Sequence, residues 1–192
     1  MTFANKINSI ISSGREKVLF IKVINKDKIA FSTAYDKYVD QIYRFIYFKI
    51  SDKEEANDLT SLVFLKAWDY IQTAGVREVD SLKALFYKIA RNVVIDFYRK
   101  KNNNVSLHDY EDTLPDSKNL QLEIENDFEL AAIKRSMFKL KNEYREVLIF
   151  HYVDELSIQE IADILDKTNG NVRVLLHRAL KTLQEIVINK NE

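Results

Sequence analysis

Three glycines and one proline are all that punctuate 192 residues. A chain with so few turn-formers has few places to reverse sharply, and it favours long helices over sheets that need many tight turns. Periodicity agrees. Residues 30–50 carry Phe31, Ala34, Tyr35, Tyr38, Ile42, Phe45 and Ile46 on one broad face, with Tyr43, Tyr47 and Phe48 beside it. Such a helix buries much of its girth. Ala56, Leu59, Val63, Ala67 and Ile71 make the next stripe, opened by Ser51 as N-cap with Glu54 three residues on. Residues 72–80 lack periodicity and read as a loop. Ser81 caps a further helix whose stripe is Leu82, Leu85, Phe86, Ile89, Ala90, Val93 and Phe97. Residues 1–17 read as a mobile extension or a frayed helix.

Residues 156–183 are the most informative stretch. Ile158, Ile161, Ala162 and Leu165 recur at the spacing of one helical face, behind Ser157 and Glu160, which form a capping box. A polar hexapeptide follows, 166–171. Val172, Leu175, Leu176, Ala179, Leu180 and Leu183 then repeat the stripe. Two short helices across a polar turn make a helix-turn-helix, and small Ala162 suits their crossing. Asn171, Arg173, Val174, His177, Arg178 and Lys181 lie off the second stripe, with Thr168 and Asn169 leading into it. A cationic, amide-bearing face of this kind fits a major groove. On an isolated amphipathic pair a solvated basic face would be the simpler reading. Capping box, small residue, polar turn and basic helix together point to DNA.

Charge is distributed unevenly. Twenty-nine basic and 29 acidic residues cancel, yet Asp109, Glu111, Asp112, Asp116, Glu123, Glu125 and Asp127 crowd one segment of low hydrophobicity. That composition predicts a flexible acidic linker, residues 103–127, between two basic modules. The helix before it carries Lys83, Lys88, Arg91, Asn92, Arg99 and Lys100, with Tyr87 and Tyr98 off its main stripe. Cations interleaved with rings suit single-stranded nucleic acid, where bases stack and phosphates pair. For Phe86 and Phe97 a core position is the better reading; for Tyr87 and Tyr98 core and interface are evenly balanced. The chain has no cysteine, which excludes disulfides and thiolate zinc sites. His108, His151 and His177 lack metal-ligand spacing, so no metal, cofactor or catalytic site is expected. His151 reads as a packed helical residue. No run approaches the length of a membrane span, and a reducing cytoplasm suits the composition.

The order of parts resembles the sigma-70 family of bacterial RNA polymerase initiation factors. Residues 31–38 and 42–46 resemble the opening of that family's region two. Residues 55–68 are similar to its polymerase-clamp-binding helix, 86–96 to its minus-ten-reading helix, and 144–148, 156–162 and 172–180 to region four. Having regions two and four alone is the layout of the extracytoplasmic-function subgroup. This chain has Leu62 where the family usually carries an acidic residue, Leu85 where it often has Trp, and Asp166 where the turn usually has Gly. Asp accepts positive φ better than most residues, so the turn survives.

The resemblance implies an all-α chain of two small helical domains. A region two over 18–102 would follow the extension 1–17, and a region four over 128–192 would follow the linker. It implies docking on core RNA polymerase, at its clamp and flap, through Asp58, Ser61, Leu62, Leu65 and Trp68. Minus-ten DNA falls to Lys83, Tyr87, Lys88, Arg91, Asn92, Tyr98, Arg99 and Lys100. Minus-thirty-five duplex falls to Thr168, Asn169, Asn171, Arg173, Val174, His177, Arg178 and Lys181. Promoter DNA is then the second partner, and an anti-sigma factor a third candidate. A conventional helix-turn-helix regulator with a sensor domain is the alternative, and it lacks visible phosphoacceptor or dimer features here.

Overall fold

A computed structural model describes residues 3–50, 52–73, 81–101 and 135–188, with side chains from residue 14 onward. Every regular element among them is helical: α1 (Phe3–Ile24), α2 (Lys28–Ile50), α3 (Lys53–Thr73), α4 (Leu82–Lys101), α5 (Asn142–Leu148), a π-turn (Ile149–Val153), α6 (Ile158–Leu165) and α7 (Asn169–Ile188). Residues 135–138 add one helical turn. The linker 103–127 and residues 74–80 of the expected loop lie outside the described residues.

Caps set the helix starts. Asp27 Oδ1 accepts from the amides of Ile29 and Ala30 and opens α2. Ser81 Oγ accepts from the Ala84 amide, as expected. At α3 the capping side chain is Asp52, which accepts from the Glu55 amide at 2.9 Å. The expected cap, Ser51, lies outside the described residues; Asp is an equally strong cap one position later. The N-terminal segment is a long helix that continues to Ile24, where Lys26 adopts φ 68° and breaks it. Tyr38 and Lys37 of α2 both bind Glu16, which ties α1 to the bundle.

The N-terminal bundle closes around Phe86 of α4, whose ring meets Phe31, Tyr38 and Phe64 at 6.3, 5.5 and 4.9 Å. Edge and tilted contacts of this sort add to the area each ring buries. Of the aromatics crowded on α2, Tyr38 and Phe45 are core, Phe31, Tyr43, Tyr47 and Phe48 are half-buried against it, and Tyr35 is exposed.

The C-terminal unit is a smaller helical array. Buried Arg145 of α5 donates to the carbonyls of Met137, Phe138 and Leu140, satisfying the end of the preceding turn. Past Leu148 the helix widens into the π-turn. The Asp154 amide reaches five residues back to the Ile149 carbonyl at 3.0 Å, and the Leu156 amide reaches the Phe150 carbonyl at 2.8 Å. His151 Nδ1 lies 3.0 Å from the Leu156 carbonyl within this turn.

The two units meet face to face. Phe150 of the π-turn stacks on Phe45 of α2 at 5.2 Å and meets the edge of Tyr87 of α4 at 5.1 Å. A single buried apolar cluster runs through both units.

Candidate nucleic-acid interface

The helix-turn-helix forms as its residues dictate. Ser157 Oγ accepts from the Glu160 amide, and Glu160 Oε2 accepts in return from the Ser157 amide at 2.8 Å. Ile161, Ala162, Ile164 and Leu165 are buried on one side, and Val172, Leu175, Leu176 and Ala179 on the other. The turn is only Asp166, Lys167 and Thr168, shorter than the polar hexapeptide, because α7 starts at Asn169. Thr168 Oγ1 accepts from the Asn171 amide and so caps α7. Asp166 takes φ 52°, ψ 43°, the left-handed conformation for which this position calls.

Outside the apolar stripe, Asn171, Arg173, Val174, His177, Arg178 and Lys181 are all exposed, and Thr168 with them. Val174 is 50 % exposed. Asn169 is half-buried and donates to Gln159 of α6 at 2.8 Å. That bond holds the first turn of α7 against α6. Among the described residues Arg173, Arg178 and Lys181 make no ion pair within 4 Å. Asp166, the carboxylate that could have held Arg173, pairs instead with Lys88 of α4. One helix thus presents three free cations, an imidazole, an amide and a methyl-bearing side chain on one face.

The basic face of α4 is in a different state. Lys83 binds Glu160 at 2.8 Å, Lys88 binds Asp166 at 2.7 Å, and Arg91 binds Glu146 at 2.9 Å. Tyr87 is fully buried and donates its hydroxyl to Asp154 at 2.7 Å. Burial, then Asp154, pushes that hydroxyl well above the ordinary tyrosine range. Tyr87 has no surface for a base in this arrangement: its ring is core, because Phe45 and Phe150 close over it. Tyr98 is half-buried and donates to the Lys49 carbonyl, and burial pushes its hydroxyl up to about 12. Asn92, Arg99 and Lys100 remain exposed, with Arg99 paired to Asp96 one turn back.

Lys49 lies at the centre of the seam, its Nζ 3.2 Å from Glu146 and hydrogen-bonded to Asn142. Burial lowers its ammonium to about 8. Burial would raise Glu146, but Lys49 and Arg91 outweigh it and hold the carboxylate below its ordinary range. Asp154 goes the other way: burial outweighs the Tyr87 hydroxyl and Arg44, and its carboxyl is raised. Glu160 is drawn down by Lys83 and Ser157 against the opposing effect of burial. Sequence periodicity missed Lys49, Glu146 and Asp154. A lysine and a glutamate on apolar stripes were the available signal.

A third face lies on α3. Asp58, Ser61, Leu62 and Leu65 are exposed along one side, with Trp68 half-buried at its end. Leu65 is 68 % exposed. Phe31, Tyr35, Phe64 and Lys28 continue this side into a shallow apolar groove. The groove is lined mainly by apolar side chains and open to solvent.

The family description "Sigma-70 region 2" matches residues 34–104, and "Sigma-70, region 4" matches 130–183. The chain is 29 % identical over 181 residues to the ECF RNA polymerase sigma factor SigW of Bacillus subtilis, covering 86 % of this chain and 93 % of that one. Its fold matches CnrH, solved with the cytosolic domain of CnrY, at TM-score 0.67 and 18 % identity over 91 % and 97 % of the two chains. The sigma factor RpoE, solved with the anti-sigma factor NepR from Bartonella quintana, matches at TM-score 0.65 and 22 % identity over 82 % and 96 %.

Proposed function

The chain belongs to the extracytoplasmic-function subgroup of the sigma-70 family, and on that premise we propose how its surfaces divide the work of initiation. It is an RNA polymerase sigma factor: it binds core polymerase, directs it to promoters and helps melt the minus-ten region. The α3 face of Asp58, Ser61, Leu62, Leu65 and Trp68 docks on polymerase. The α7 face reads duplex at minus thirty-five. The α4 face, Lys83, Lys88, Arg91, Asn92, Arg99 and Lys100, holds the opened minus-ten strand. Tyr98 sits at its rim. Extension, region two, linker and region four divide near residues 17, 102 and 127.

The observation that carries this reading is the pairing of two separate basic helices with one apolar docking face. A regulator working alone needs one DNA helix and a dimer surface. An initiation factor needs a duplex reader, a strand holder and a polymerase contact. Promoter elements centred about 25 base pairs apart stand about 85 Å apart at 3.4 Å per base pair. The two units therefore separate when both elements are held. Chemistry is left to polymerase, and the setting is the cytoplasm. Among the described residues no helix is long and apolar enough to cross a membrane. The anti-sigma factor NepR accompanies one of the matched folds, and a partner of that kind is the third one proposed here.

The test is reconstitution. Purified chain added to core polymerase should give transcripts from genomic fragments, with start sites sharing one upstream pair of elements. Transcription no different from core alone would remove the reading.

A further inference from the structure

A second groove lies on the other flank of α2 from the one along α3. Helices α1 and α2 are joined by residues 25–27 and tied again where Lys37 and Tyr38 bind Glu16. The space between them is about 670 Å³, larger than the about 460 Å³ of the α3 groove. Val18 and Leu19 of α1 line one wall, and Ile29 and Ala30 of α2 the other. Val18 is 54 % exposed, Ile21 one turn on is 53 % exposed, and Ile29 is 80 % exposed. The rim is basic, with Arg15, Lys22 and Lys37 along it. Its two carboxylates are already committed: Glu16 to Lys37 and Tyr38, Asp27 to the amides of Ile29 and Ala30. Arg15 and Lys22 are exposed and pair with no carboxylate among the described residues.

This groove is continuous with the α3 face. Lys28, Phe31 and Tyr35 of α2 line the α3 groove, while Ile29, Thr33 and Lys37 line this one. The two rows run side by side along α2, with Ser32 and Asp36 exposed between them. A helix with its side chains is about 10–12 Å wide, so one partner surface can reach from groove to groove. A stable protein contact takes about 20–30 residues a side, more than the α3 face supplies. We infer that the polymerase contact continues across α2 onto α1, and that core RNA polymerase fills the α1–α2 groove with apolar side chains flanked by acidic ones. This rests on the reading of the α3 face as the polymerase contact. A second copy of the chain suits the groove poorly, because a symmetric pairing sets Arg15, Lys22 and Lys37 against themselves. On this inference α1 belongs to the docking machinery, and Val18 and Ile29 are its apolar anchors.

The test is a titration of the full chain against core RNA polymerase. V18Q/I29Q places good helix formers at two exposed positions and leaves the core untouched. Its affinity for core polymerase should fall about tenfold while its circular dichroism matches the parent's. R15Q/K22Q removes two rim charges, so between about 50 and about 200 mM salt its affinity should fall less than the parent's. Leu65→Ser, measured beside them, reports on the α3 face. Weaker binding in both V18Q/I29Q and Leu65→Ser supports one continuous contact. Weaker binding in Leu65→Ser alone overturns the inference and leaves the α3 reading. Weaker binding in V18Q/I29Q alone keeps the groove as a contact and removes the α3 reading. A salt dependence in R15Q/K22Q equal to the parent's overturns the acidic character of the polymerase segment. Two further measurements identify another occupant: sedimentation of the chain alone, and its binding to phosphatidylglycerol vesicles. A parent dimer or parent vesicle binding that V18Q/I29Q loses, with polymerase affinity unchanged, assigns the groove to a second copy or to a bilayer and overturns the inference.

Discussion

Lys49 and Glu146 hold opposite charges 3.2 Å apart across the seam of the two units, with side chains only 3 % and 4 % exposed. A buried pair of this kind adds little net stability over well-packed apolar residues, but losing one partner leaves a charge out of water. Glu146→Leu should cost about 3–5 kcal/mol of unfolding free energy. Lys49→Met with Glu146→Leu should recover most of that loss, because Arg91 is partly exposed and can turn to solvent. Urea titrations of both variants check it; equal losses in single and double would show that Lys49 finds another partner.

Acid should act on the same seam with two opposing signs. Glu146 is held below its ordinary 4.5 in the folded chain. Its contribution is complete above that value and is lost as pH falls through the lower folded one. Asp154 is raised above its ordinary 3.8, so the folded chain takes up its proton first and gains stability on acidification. Asp154→Asn removes that gain. From about pH 7 to about pH 4 its urea midpoint should fall more steeply than the parent's. Parallel curves would mean that Asp154 titrates as it does in the unfolded chain.

On the recognition helix the entry end and the exit end predict different defects. Arg173 projects from the first turns, so Arg173→Ala should cost about 1–3 kcal/mol of binding and relax preference at one base pair. Lys181 lies two turns on. Lys181→Ala should weaken all sequences alike and lower the salt slope by about one unit. A panel of promoter variants at several salt concentrations separates the two; uniform weakening by Arg173→Ala would make it a phosphate contact.

For polymerase docking the charged and apolar parts of the α3 face should act together. Asp58→Arg and Leu65→Ser each leave the core untouched, since both side chains point to solvent. Each should reduce co-purification with core polymerase by about tenfold or more while the helical circular dichroism stays constant. Retention equal to the parent's in both would move the contact to another face.

Most of the helices, the caps Ser81 and Ser157, and all of α7's outward face but half-buried Asn169 were legible in the chain, because each is set by neighbours within four residues. Ser157 with Glu160 and Asp166 in left-handed backbone follow from local chemistry alone. Legibility ends where partners are distant. Asp52 takes the cap because two adjacent residues are both good candidates and the backbone path chooses. The π-turn at Ile149–Val153 has no periodic signature, since one extra residue per turn leaves the apolar run intact. Tyr87 is core because Phe150, 63 positions away, closes over it, and no spacing within α4 records that. The covering of Lys83, Lys88 and Arg91 is likewise written in pairs 55–78 residues apart.

Glu160 serves two masters with its two oxygens: Oε2 completes the cap of α6, and Oε1 receives Lys83. Heritable change at this position cannot tune one trait without dragging the other, since weakening the clasp on α4 also frays the helix that supports the duplex reader. Asp166 carries no such double duty beyond its backbone angle, and Asn or Gly would satisfy that angle equally. Adaptive adjustment of how readily the chain opens should accordingly accumulate at 166, while 160 stays fixed. Two descendants of this chain could then differ in their readiness to start transcription and still recognise the same upstream duplex.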